Sequence, residues 1–139
     1  MILADTGPLV AAGNRNDDYH AKCVRALTTA QPPRLVPATV VAETGYLLER
    51  AAGPSVEAEF LRLFSTGYLK LADVTDDDLT RAAELVEQYA DFPLGTTDAS
   101  IVAVAERLKI TTIATLDRRH FEVVRPRHVD AFTLIPDQP

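Results

Sequence analysis

The sequence predicts an α/β fold, a single domain with a mostly parallel central sheet of about four to five strands flanked by helices. Two observations predict this class. Short apolar runs closed by Gly, Pro or Asp alternate along the 139-residue chain with longer segments whose apolar residues recur at helical spacing. Strands that alternate with helices form parallel sheets, because each helix returns the chain to the same end of the sheet.

The individual elements follow from these patterns. The segments expected to form strands are 2–6, 34–36, 68–71, 111–115 and 132–135. One short helix is expected to begin at Pro8. The other expected helices cover 19–30, 39–50, 55–65, 76–89 and 98–108. Thr75 and Asp78 have the spacing of a capping box, so the acidic run 76–78 is interpreted as the start of a helix and not as a binding site.

Length and composition favour one globular domain over residues 1–139. No apolar run approaches the roughly 20 residues of a membrane span, and Asp5 interrupts the first apolar run, so neither a membrane segment nor a signal peptide is expected. The chain has one cysteine, Cys23, which excludes an internal disulfide and favours the reducing cytoplasm. Cys23 lies on an apolar helical stripe and is expected in the core.

The net charge of −6 by itself argues against nucleic-acid binding. If four acids belong to one cation site, however, the rest of the chain carries a net charge of only −2. Basic residues also concentrate near the C-terminus, at Arg118, Arg119, Arg125 and Arg127. The distribution of the charges is therefore a better guide to nucleic-acid binding than the net charge.

Two acids stand directly after predicted strands. Asp5 closes the first apolar run before Gly7-Pro8, and Asp117 follows the run at 111–115. Aspartate at a strand exit commonly forms an Asx turn, so each acid taken singly has an ordinary structural role. In an open parallel sheet, however, this edge is also where ligands bind.

Two further acids lie on predicted helices. Glu43 shares a helical face with Val40 and Leu47, and the helix is expected to turn Val40, Leu47 and Leu48 inward. A carboxylate on such a stripe is costly unless it is paired, although a partly exposed acid at the rim of the core is an equal alternative. Asp98 lies in the first turn of its helix, where a capping role is the alternative.

All four acids map to one edge of the sheet. Strand exits and the first turns of the neighbouring helices meet there, and four adjacent carboxylates repel one another unless a cation lies between them. Histidine and cysteine do not cluster with them in the sequence, so the ligands are hard oxygens. This favours Mg²⁺ or Mn²⁺ over zinc.

Four stretches carry a family resemblance: 5–6, 41–43, 95–99 and 115–121. In order and spacing they resemble PIN-domain proteins, and specifically the VapC-type toxins of bacterial toxin–antitoxin pairs. The resemblance implies a single PIN domain and a metal-dependent ribonuclease that hydrolyses RNA with Mg²⁺, or Mn²⁺ in its place. It also implies that the metal-binding catalytic quartet consists of Asp5, Glu43, Asp98 and Asp117.

The same resemblance suggests roles for the neighbours of the quartet. Thr6 and Thr97 stand beside ligand acids and are expected to hydrogen-bond to them, with simple capping as the alternative. Some relatives carry a further acid just after the fourth, whereas Arg118, Arg119 and His120 stand here. These three are expected to contact RNA phosphates, with a solvated basic turn as the alternative. Asp91 and Ser100 stay open as further candidates.

Partners follow from the resemblance and from apolar residues at 46–48 and 60–64, which exceed what a small core needs. We expect a VapB-type antitoxin that places a basic side chain among the acids, and a homodimer within the toxin–antitoxin complex. The sequence does not name the RNA. A metal-dependent phosphatase is a rival interpretation, but Thr6 and Gly7 follow Asp5 where a second Asp is needed. The other rival is a catalytically silent PIN-like binding module.

Overall fold

The computed structural model describes residues 1–137 and contains five short strands. They are β1 (Ile2–Ala4), β2 (Arg34–Pro37), β3 (Lys70–Ala72), β4 (Thr112–Ala114) and β5 (Thr133–Ile135). All neighbouring strands are parallel, in the order β3-β2-β1-β4-β5. The predicted α/β class with a parallel sheet is confirmed, and each predicted strand exists with small differences in its bounds.

Seven helices flank this sheet within the described residues. They are α1 (Thr6–Gly13), α2 (His20–Thr29), α3 (Ala38–Ala52), α4 (Pro54–Thr66), α5 (Asp76–Gln88), α6 (Thr96–Leu108) and α7 (Arg118–Val123). The sequence did not predict α7, because its six residues are too few to show a helical period. None of the helices in residues 1–137 combines the length and the apolar character needed to cross a membrane.

Strand β1 lies at the centre of the sheet, where its apolar side chains are buried on both faces. Ile2, Leu3 and Ala4 are at most 3% exposed. Leu3 pairs with Leu35 of β2 on one side and with Ile113 of β4 on the other. A strand buried on both faces reads as a continuous apolar run, as this one does. Asp5 follows this strand directly and therefore lies at the middle of the carboxyl edge of the sheet.

The predicted inward face of α3 was partly wrong. Val40 and Leu48 are buried, but Leu47 is 36% exposed and Tyr46 is 57% exposed. The buried stripe instead runs through Val40, Thr44 and Leu48, which are four residues apart and so lie on one side of the helix. Glu43 therefore lies beside the buried stripe and not on it.

Helices α5 and α6 are joined by two ion pairs. Arg81 binds Glu106 through two hydrogen bonds, Nε to Oε1 at 2.8 Å and Nη2 to Oε2 at 3.1 Å. Arg107 donates to the buried carboxylate of Asp78 at 3.0 Å. Asp78 also completes the predicted capping box with Thr75, which is confirmed. The acidic run at the start of α5 is therefore structural.

The Glu106 carboxylate is almost fully buried and also accepts a hydrogen bond from the Arg127 backbone N–H at 2.9 Å. Burial alone raises its pKa, but the hydrogen bonds and charges of Arg81 and Arg127 outweigh burial and lower the pKa below its ordinary value. The resulting stabilisation is present above the unfolded pKa and is lost as the pH falls through the lowered one.

We predict that Glu106→Gln lowers the free energy of unfolding at neutral pH by roughly 3 kcal/mol, because it leaves Arg81 without its buried partner. Glu84→Gln is the matched control. Glu84 contacts the same guanidinium at 3.5 Å, but its side chain is 55% exposed, so its loss should change stability by less than about 0.5 kcal/mol. Urea unfolding of both variants measures this, and equal losses would contradict it.

Candidate active site

The four acids predicted from the sequence all lie at the carboxyl edge of the sheet. Asp5 follows β1 and caps α1, and Asp117 stands before α7 just beyond β4. Glu43 is in the second turn of α3, which begins where β2 ends, and Asp98 is in the first turn of α6. Asp5 and Asp98 each feel the negative charge of Glu43, so the acids share one electrostatic environment.

Two threonines connect three of these acids. The Thr6 backbone N–H donates to Asp5 Oδ1 at 2.7 Å, and the Thr6 hydroxyl donates to Glu43 Oε2 at 3.0 Å. The Thr115 hydroxyl donates to Asp5 Oδ2 at 2.9 Å and accepts from the Asp117 backbone N–H at 3.0 Å. Both carboxylate oxygens of Asp5 are therefore held in place.

Sequence reasoning missed Thr115. A pattern that could have revealed it is Thr-Leu-Asp at the exit of a strand, because a threonine hydroxyl commonly accepts from the backbone N–H two residues later. Its second bond, to Asp5, spans 110 positions of the chain, and no local pattern reports such a contact.

His120 lies between Asp98 and Asp117. Its Nδ1 is 2.6 Å from Asp98 Oδ2 and 3.0 Å from Asp117 Oδ2. Asp98, Asp117 and His120 each offer a ligand atom, and these atoms lie within 4.8 Å of one another. Helix α7 is the reason, because it places His120 one turn after Asp117. His120 was expected only as an RNA contact, and the structure instead brings it into the acidic cluster.

Burial raises the pKa of Asp5 from 3.8 to about 6, with a further contribution from the charge of Asp98. The hydrogen bonds from Thr6 and Thr115 oppose this shift but do not cancel it. Burial also raises the pKa of Asp98, where the charge of His120 opposes the shift and that of Asp117 adds to it. For both carboxyl groups the largest cause of the raised pKa is the loss of hydration on burial. Buried carboxylates held this way suit a cation that neutralises them.

The other predicted candidates are placed unequally. Thr97 contributes its backbone carbonyl, which accepts from the buried Ser100 hydroxyl at 2.7 Å. Ser100 Oγ is also 2.7 Å from Thr39 Oγ1, so it ties α6 to α3 behind the acids. Asp91 is exposed in the loop before α6.

The two arginines of α7 diverge. Arg118 donates to the backbone carbonyl of Pro136 at 3.0 Å and pairs with Glu122, so it is engaged at the C-terminal segment. Arg119 is exposed, and its guanidinium carbon lies 5.8 Å from the centre of the Phe92 ring. Arg119 is therefore the more exposed arginine of the pair, and it directly precedes His120 in the chain.

Comparison with known proteins agrees with this fold. The PIN domain model matches residues 2–126. Ribonuclease VapC26 of Mycobacterium tuberculosis is 34% identical over 135 residues, which cover 97% of this chain and 100% of that protein. The chain belongs to the PIN-domain family, and within that family to its VapC-type members.

Two solved structures show the same fold at lower sequence identity. Mycobacterium tuberculosis VapC20, a sarcin-ricin loop cleaving toxin, superposes with a TM-score of 0.76 at 24% identity over 81% of this chain and 87% of its own. VapBC2 from Rickettsia felis, bound to promoter DNA, gives 0.68 at 20% identity over 96% of this chain and 97% of that chain.

We predict that Asp5→Asn stabilises the protein in EDTA at neutral pH by roughly 1–3 kcal/mol, at about 1.4 kcal/mol for each pKa unit relieved. Because the folded pKa of Asp5 is raised to about 6, its favourable contribution is complete only below the unfolded pKa. That contribution is lost as the pH rises through 6. The Asn side chain keeps an oxygen that accepts from the Thr6 N–H, and its amide N–H is able to donate to Thr115 Oγ1.

Urea unfolding in EDTA at two pH values measures this, with the exposed Asp130→Asn as control. The gain should be small at pH 4.5 and larger at pH 7.5, and millimolar Mg²⁺ should reduce it, because the wild type binds the ion more tightly. A variant that is less stable than wild type at pH 7.5 would show that the Asp5 carboxylate acts mainly as a hydrogen-bond acceptor.

Proposed function

We propose that this chain is a metal-dependent endoribonuclease and the toxin of a VapBC-type toxin–antitoxin system. The observation that carries the proposal is the joining of Glu43, Asp5 and Asp117 by two threonines beside Asp98. The chain is similar to a ribonuclease over nearly its whole length, and this similarity supports the reaction class. Acting on cellular RNA, it would work in the cytoplasm.

In this proposal Asp5 and Asp98 would hold Mg²⁺, or Mn²⁺ in its place, and Glu43 and Asp117 would act partly through water. An ion held there would lower the pKa of a bound water and would polarise the scissile phosphate. Thr6 and Thr115 hold the carboxylates in a fixed orientation before the ion arrives, which limits reorganisation during reaction. Attack by water and not by the RNA 2′-hydroxyl leaves 5′-phosphate and 3′-hydroxyl ends.

RNA contacts were expected from Arg118, Arg119 and His120. Arg118 is engaged at the C-terminal segment and His120 lies among the acids, so we assign phosphate binding chiefly to Arg119. Arg119 is an exposed residue on the helix that carries His120, and its guanidinium lies beside the Phe92 ring. A cation at this rim offsets the negative potential that the acids present to an incoming phosphate.

We predict that cleavage of structured RNA requires Mg²⁺ or Mn²⁺, stops in EDTA and leaves 5′-phosphate ends. Asp98→Asn should reduce the rate at least 100-fold while circular dichroism stays that of the wild type, and the exposed Asp91→Asn should retain activity. Cleavage that persists in EDTA with 2′,3′-cyclic ends would contradict the proposal. If the protein hydrolyses a phosphomonoester but not RNA, the phosphatase interpretation is favoured. If it binds RNA without cutting it, the catalytically silent module is favoured.

An apolar groove supports the proposed antitoxin partner. It has a volume of about 920 Å³ and lies between α1, α2, α3 and α4, with side chains that include Leu9, Val24, Leu27, Phe60 and Leu63. Val24 is 38% exposed and Leu63 is 36% exposed, so the groove offers apolar surface to a partner segment. None of the four acids lines it, and a bound segment would have to extend beyond the groove to reach them.

A homodimer within the complex is the second part of the partner proposal. Of the apolar residues that suggested it, Leu48 and Phe60 are core residues, whereas Tyr46, Leu47 and Leu61 are exposed. The exposed side chains on α3 and α4 support self-association, which stays a prediction.

We predict that Leu63→Glu weakens binding of a co-expressed VapB-type antitoxin at least tenfold, because it places a charge in the apolar groove. Leu79→Glu is the matched control, since Leu79 is 47% exposed on α5, away from the groove. Both variants should cut RNA at the wild-type rate when free of antitoxin. Equal affinity of the two variants, measured by titration of purified proteins, would remove the groove from the interface.

A further inference from the structure

We propose that His120 is itself a ligand of the catalytic cation, through Nδ1, so that the site combines nitrogen with carboxylate oxygen. The inference rests on the proposed metal-dependent function and adds a ligand that the four acids do not supply. Its consequence is a stronger preference for a first-row transition ion such as Mn²⁺, relative to Mg²⁺, than four carboxylates alone would give.

The geometry of the cluster carries the proposal. Nδ1 lies 2.6 Å from Asp98 Oδ2 and 3.0 Å from Asp117 Oδ2. Adjacent ligands of an octahedral ion bound at about 2.1 Å are about 3 Å apart, so the two distances from Nδ1 are close to those between neighbouring ligands of one ion. All three ligand atoms lie within 4.8 Å of one another. His120 comes from the first turn of α7, Asp117 directly precedes that helix, and Asp98 comes from α6.

The state of Nδ1 points the same way. The Nδ1 atom is buried, and it contacts the carboxylates of Asp98 and Asp117. The ring is also held in place, because Phe92 packs edge-to-face against it with ring centres 5.4 Å apart and an angle of 83°. A buried, fixed imidazole nitrogen between two carboxylates is positioned to bind a cation together with them.

The choice of ion follows from ligand chemistry. Mg²⁺ prefers oxygen ligands and keeps several waters, whereas imidazole nitrogen binds transition ions more readily. The ring coordinates in its neutral form, so a proton on Nδ1 passes to solvent when the ion binds.

Pulsed electron paramagnetic resonance of the full chain loaded with Mn²⁺ tests the ligand directly. The chain has three histidines. Wild type should show coupling to a nitrogen nucleus, and that coupling should change from ¹⁴N to ¹⁵N when histidine alone is ¹⁵N-labelled. It should disappear in His120→Gln and persist in His20→Gln, whose ring in the wild type contacts the Ala11 carbonyl at 2.9 Å.

Labelled wild type needs no substitution, so an unfolded variant does not weaken the test. Absence of histidine coupling in Mn²⁺-loaded wild type, or its persistence in His120→Gln, overturns the proposal. If Mn²⁺ binds through oxygen alone and RNA is still cut, this inference fails and the proposed function stands. If Mn²⁺ does not bind and RNA is cut in EDTA, both fail.

A second measurement addresses ion preference. By calorimetric titration, His120→Asp should lower the ratio of Mn²⁺ to Mg²⁺ affinity by roughly tenfold, because it exchanges nitrogen for oxygen while keeping a ligand. The His20→Gln ratio should equal that of wild type. An unchanged ratio in His120→Asp overturns the assignment of His120 as a ligand.

Discussion

The candidate active site is arranged around a buried carboxylate at the exit of the central strand. Asp5 is only 7% exposed and carries a pKa raised to about 6, so its position costs free energy at neutral pH. The cost is tolerated because Thr6 and Thr115 hydrogen-bond to both oxygens, and because β1 is anchored by neighbours on each side. The same two threonines extend the arrangement to Glu43 and Asp117. An unfavourable group at the centre thus organises the rest of the site.

The helices that carry the acids are held in position by contacts that lie outside the acidic cluster. Asp98 is on α6, and α6 is fixed to α5 by the Arg81–Glu106 and Arg107–Asp78 pairs and to α3 by Ser100 and Thr39. These polar contacts are buried or partly buried and paired, so they fix orientation where apolar packing alone would allow sliding. The positions of the acids therefore depend on helix–helix contacts outside the acidic cluster.

The sequence predicted the site unevenly. The four acids were identified because strand exits and helix starts are local patterns, and parallel topology brings such positions to one edge. His120 was interpreted as an RNA contact because α7 is too short to show a period. Thr115 was missed because its bond to Asp5 joins distant parts of the chain. The inward face of α3 was misjudged at Leu47, since apolar character alone did not fix the rotation of the helix against its neighbours.

By itself the sequence determined the α/β class, the central burial of Ile2 to Ala4 and the acids that follow strands, because hydrophobic periodicity and turn residues act over a few positions. Only the tertiary structure decided the strand order, the rotation of α3, the closing of the threonine bonds around Asp5 and the entry of His120 between Asp98 and Asp117. These features depend on atoms that are distant in the chain and meet only when the elements pack, so their energies have no counterpart in any single segment.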